Sequence, residues 1–115
     1  ASALHEISHW CLAGAQRRQR LDFGYVYAPA PRSAVDQVRF LRAEVLPQAL
    51  ESLFAEAARV PFNYSFDDVE DQFRSLRIGF QHAVDGVRGR LLQHGIQAIA
   101  GARAQRFRNA LATRT

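Results

Sequence analysis

Apolar positions recur along this chain in two rhythms. From Ala1 to Ala13, ASALHEISHWCLA, apolar residues return every three or four positions, which predicts a helix, and Gly14 stands where helices commonly stop. Over Leu21–Ala28, LDFGYVYA, the period shortens to two and the composition turns aromatic and β-branched, which predicts a strand. Gly24 inside it marks a bulge or a close backbone approach, and Pro29 and Pro31 end it. Ser33 is placed to cap a helix over roughly 34–43. Pro47 fits the first turn of a second helical segment, or a kink, running to about Ala58, with Leu50, Leu53, Phe54 and Ala57 as its apolar stripe. Val60-Pro61-Phe62 breaks the rhythm, and Asn63–Asp71 reads as a polar turn. Phe73, Leu76, Phe80, Val84, Val87 and Leu91 then trace the longest helical stripe, which ends at His94-Gly95. A short amphipathic helix over roughly 100–112 closes the chain.

These elements predict an α+β fold: a predominantly helical chain with a small sheet. A lone strand leaves its backbone groups unpaired, so its partners are expected from sequence before Ala1 or from another chain. The 115 residues suit one domain, 1–115, read as the catalytic part of a longer protein that is incomplete at the N-terminus. With 48 % apolar residues the chain is not of the disordered class, and one cysteine, Cys11, excludes a disulfide scaffold. No apolar run is long enough to cross a bilayer and no signal peptide is visible, so a cytoplasmic location without membrane partners is expected.

The net charge of +4 hides a strong asymmetry: residues 86–115 hold six arginines and no carboxylate. Such a stretch suits an acidic partner, nucleic acid or simply a solvated helix face, and the solvated face is preferred because no aromatic platform for stacking bases accompanies it. Direct nucleic-acid binding is therefore not expected. Asp67, Asp68, Glu70 and Asp71 precede the longest helix, where negative charge is favourable. Cys11 reads as a small buried residue and His82 as solvent-facing.

Chemistry concentrates in His5-Glu6-Ile7-Ser8-His9, an HExxH pattern. Residues four apart stand above one another on a helix, so His5 and His9 can hold one metal ion. Glu6 is rotated by about 100° from His5 and can serve as a base. The extension HExxHxxGxxH fails, since Leu12 and Ala15 occupy its glycine and histidine positions. A downstream glutamate followed by an acid four residues later is also incomplete, because Gln48 follows Glu44. Glu44 is the preferred third ligand; Glu51 and Glu56 read as a solvated face. Two histidines and a carboxylate suit zinc or non-haem Fe(II), and spacing does not separate them.

The runs ASALHEISHWCLAG (1–14), DFGYVYAP (22–29), EVLPQALESLF (44–54) and PFNYS (61–65) resemble the elongation factor P hydroxylase family. The resemblance implies a compact α+β fold with a zincin-like metal helix. It implies Fe(II)-dependent hydroxylation, with O₂ as cosubstrate, of the already β-lysylated lysine of elongation factor P, which would be the partner. Carried over by motif, His5, His9 and Glu44 are the metal ligands and Glu6 a proton-transfer group at the metal edge. Asp22, Tyr25 and Tyr27, in the DFGYVY run, are expected to shape the substrate pocket or to pack on the metal helix. The alternatives are a zinc-dependent hydrolase, peptidase or nuclease, with Glu6 as general base, and a structural metal domain.

Overall fold

The computed structural model describes residues 2–13, 34–64 and 74–114. Five helices appear in order: α1 (Ser2–Leu12), α2 (Ala34–Ala58), α3 (Arg74–His94), α4 (Ile96–Ala100) and α5 (Ala102–Arg114). Every regular element among the described residues is a helix, so the α+β expectation with its small sheet gives way to an all-helical architecture. Among the described residues, helices cover one another's apolar faces directly. The strand expected over Leu21–Ala28 and the polar turn beyond Tyr64 lie outside the described residues.

Helix α2 is the hub, packed against α1, α3 and α5. Residues 47–55 of it are buried all round: Ala49, Leu50, Leu53, Phe54 and Ala55 are nearly inaccessible, as a helix enclosed by neighbours requires. Phe80, Val84 and Leu91 of α3 and Ala104 of α5 complete this core. The Phe54 and Phe107 rings meet edge to face, with centroids 4.9 Å apart.

Two boundaries differ from the sequence reading. Residues expected as two helical pieces form one 25-residue helix with Pro47 in its interior. Proline removes one N–H donor and crowds the preceding turn, an effect of about 3 kcal/mol. Burial on three sides offsets it. The tail also divides, because α4 forms between Gly95 (φ 94°) and Gly101 (φ 99°), two positive-φ turns that suit glycine.

The C-terminus of α2 closes in a Schellman motif. Val60 N–H donates to the Ala55 carbonyl at 2.9 Å and Arg59 N–H to that of Glu56 at 3.2 Å. Arg59 takes the left-handed position usually given to glycine, with φ 59°.

Candidate metal centre

Helix α1 turns its His5–His9 face onto the middle of α2. Both rings are half-buried, and Ser8 between them is fully buried, its hydroxyl donating to the Leu4 carbonyl at 2.8 Å. The facing stripe of α2 carries Glu44, Gln48 and Glu51, four and then three residues apart and all buried. Three polar residues on one turn-to-turn stripe inside an apolar core require partners. The histidines of α1 meet two of them, Glu44 and Glu51.

Three ligand groups converge. His5 Nε2 lies 3.1 Å from Glu44 Oε1, His9 Nε2 lies 2.8 Å from Glu44 Oε2, and the two Nε2 atoms are 3.2 Å apart. The approach of His9 to Oε2 is close but not directed as a hydrogen bond, and that buried oxygen has no hydrogen-bond partner. Ligands about 2.1 Å from a common ion stand roughly 3.0 Å apart when cis in an octahedron and roughly 3.4 Å apart in a tetrahedron. The observed spacings fall in or near that range. An orphaned carboxylate oxygen beside two ring nitrogens therefore fits a divalent cation, and His5, His9 and Glu44 are the residues that would hold it.

Glu51 completes the arrangement from outside. Its Oε1 accepts a hydrogen bond from His5 Nδ1 at 2.8 Å, and the side chain is only 3 % exposed. An ionised carboxylate only accepts, so Glu51 holds a proton on Nδ1, and loss of the second proton from Nε2 would leave that nitrogen's lone pair facing the ligand cluster. The sequence reading placed Glu51 on a solvated face, and the structure corrects this. Its signal was present: Glu51 follows Glu44 by seven residues, two helical turns, on the same side of α2. Glu56 is exposed, as expected, and pairs with Arg88.

Electrostatics follow from this packing. Contacts with Glu44 and then Glu51 push the His5 imidazole up to about 10, against the opposing influence of burial. Burial is the largest influence on Glu44 and raises its carboxyl, but contacts with His5 and His9 together outweigh it and hold the group at about 2. Without a cation the site thus draws a proton to His5, the demand of closely set anions for positive charge.

Glu6 is exposed on α1, next to His5 in sequence and outside the converging group. Asp22, Tyr25 and Tyr27 lie outside the described residues. Cys11 is buried, as expected, and burial pushes its thiol up while Arg103 opposes this. His82 is exposed, also as expected. No helix among the described residues is long and apolar enough to cross a membrane.

The fold and site together define a helical chain with a two-histidine, one-carboxylate candidate metal centre between its first two described helices. Residues 1–114 match the family model described as elongation factor P hydroxylase, and the chain belongs to that family. It is similar to the elongation factor P lysine hydroxylase of Haemophilus influenzae, with 49 % identity over 69 residues, covering 60 % of this chain and 39 % of that protein. The matched part thus spans about two fifths of the length of that curated relative. No solved structure matches the chain.

Proposed function

We propose that this chain carries the metal centre of a hydroxylase that acts on a lysine of elongation factor P. Family membership supports the reaction and its protein substrate. The single observation that carries the metal assignment is the convergence of His5 Nε2, His9 Nε2 and the orphaned Glu44 carboxylate. We assign Fe(II) as the native ion, because a set of two histidines and one carboxylate leaves coordination positions open for O₂ and substrate. Iron held by His5, His9 and Glu44 would supply activation of O₂, so that one oxygen atom enters a C–H bond of the side chain and the other leaves as water, with two electrons and two protons from an external reductant. The residues of the chain do the rest. His5 and His9, fixed four apart on α1, hold their lone pairs on one side. Glu44 brings negative charge from α2, and Glu51 fixes the tautomer of His5. Burial by both helices keeps bulk water from the carboxylates. Glu6, exposed beside His5, is the proposed proton-transfer group at the edge of the site.

The β-lysylated lysine is the proposed target, and a cytoplasmic enzyme without membrane partners follows from this role. Incubation of the Fe(II)-loaded protein with β-lysylated elongation factor P, O₂ and a reductant tests the reading. The expected result is a mass gain of one oxygen atom on the modified lysine, lost in Glu44→Ala. Release of peptide or nucleotide fragments by a zinc-loaded protein, abolished by Glu6→Gln, would instead establish a hydrolase.

A further inference from the structure

Position 48 holds an amide on a stripe that otherwise holds carboxylates. Glu44, Gln48 and Glu51 are 2 %, 0 % and 3 % exposed, so the amide is the most enclosed of the three. The His5 ring spans this stripe, with Nε2 at 3.1 Å from Glu44 and Nδ1 at 2.8 Å from Glu51. Gln48 follows Glu44 by four residues and precedes Glu51 by three, which sets it between the two carboxylates that bracket the ring. An amide has nearly the shape of a carboxylate and none of its charge.

Charge is therefore what this residue changes. Glu44 and Glu51 bring two negative charges into a buried region, while neutral imidazoles add none. A divalent ion held by His5, His9 and Glu44 would balance them. A third buried carboxylate would leave one charge uncompensated beside a divalent ion and would be balanced only by a trivalent one. The number of charged ligands tunes cation sites in this way, and groups around the ligands tune the reduction potential of the ion. Glu6 and Arg42, close by in sequence to His5 and Glu44, are exposed, so water and salt screen them.

We propose that Gln48 determines the charge of the ion that this centre prefers: its neutral amide holds the stripe at two carboxylates and so favours a divalent over a trivalent ion. A centre that works from Fe(II) needs that preference. The inference rests on the proposed function for the identity of the ion, but not on turnover, and a potential reads it.

The test is the midpoint potential of the iron-loaded protein, by anaerobic redox titration of wild type and of variants whose circular dichroism matches it. A tenfold change in the preference for Fe(III) over Fe(II) moves a one-electron potential by about 59 mV. Gln48→Glu is expected to lower the potential by about that much or more. Gln48→Met, uncharged and of similar length, is expected to move it by less than half as much. Glu51→Gln removes a charge and is expected to raise the potential, and Gln48→Glu/Glu51→Gln to bring it back towards the wild-type value. Should Gln48→Glu not fold, the double variant compared with Glu51→Gln reads the same charge, and the same fall is expected. An unchanged potential in Gln48→Glu, an equal shift in Gln48→Met, or a double variant no lower than Glu51→Gln would overturn the proposal. A wild type that holds no iron would overturn it together with the proposed ion. The expected shifts in a protein that does not hydroxylate would retain the role of Gln48 while removing the proposed reaction.

Discussion

His5 and Glu51 are joined across two helices by a 2.8 Å hydrogen bond from Nδ1 to Oε1, on the side of the imidazole away from the converging ligand atoms. The bond links α1 to the buried hub of the fold, so the aim of one candidate ligand depends on the packing of α1 on α2. Glu51 is a positioning residue in this account. Removing such an outer partner commonly weakens metal binding about 10- to 100-fold. Glu51→Ala is expected to show a loss in that range by competition with a chelator, and Glu51→Gln, which retains an acceptor oxygen, a smaller one. A proton titration of His5 in the metal-free protein supplies the independent readout, since its midpoint should fall in Glu51→Ala. An unchanged affinity together with an unchanged His5 titration would remove Glu51 from the site.

Protons and metal compete for the same nitrogens, and the direction follows from the shifted groups. His5 is raised from 6.5 to about 10, so its contribution to metal-free stability is full below pH 6.5 and is lost as pH rises through 10. Glu44 is lowered from 4.5 to about 2, so its contribution is full above pH 4.5 and is lost as pH falls through 2. Metal binding must displace the proton that His5 retains, so metal affinity is expected to rise across the window from 6.5 to 10. Calorimetric titration with metal in two buffers of different ionisation enthalpy reads the released proton directly. A pH-independent affinity would contradict the proximity of His5 to the ion.

Arg59 holds a left-handed conformation, φ 59°, at the end of α2. That conformation costs a non-glycine residue about 1–2 kcal/mol, partly offset by the greater unfolded-state freedom of glycine. Arg59→Gly is expected to raise stability by about 1 kcal/mol, seen as a higher urea midpoint at constant slope. A lower midpoint would show that the exposed side chain contributes more than its backbone conformation costs.

Glycine-to-alanine changes should have opposite signs at two positions that both have open space around the new methyl group. Gly89 lies inside α3, where alanine is favoured by up to about 1 kcal/mol. Gly95 has φ 94° and ψ 142°, a region essentially reserved for glycine, so Gly95→Ala is expected to destabilise by about 1–3 kcal/mol. Thermal unfolding of the two variants checks the pair, and equal shifts in one direction would contradict the backbone assignment between α3 and α4.

The helices carrying chemistry were legible because their periodicity is strong. The bounds of α1 and α3 fall within a residue or two of the expected ones, and the structure brings Glu44 to His5 and His9. The reading of α2 as two pieces failed because proline was weighed as a local signal, whereas enclosure by α1, α3 and α5 decides the outcome. Glu51 was missed for a related reason. A carboxylate in an amphipathic pattern reads as solvent-facing, and only the packing of α1 onto the Glu44–Gln48–Glu51 stripe turns it inward. The sheet was inferred from one alternating segment, and a short alternating run does not reveal whether any partner strand exists.

His5, His9 and Glu44 are proposed to share one metal ion. Metal content after anaerobic purification, measured for wild type and for His5→Ala, His9→Ala and Glu44→Ala, tests it most directly. Stoichiometric iron is expected in wild type and is expected to be lost in all three variants, with each variant still folded by circular dichroism. Tight zinc retained in Glu44→Ala would contradict it.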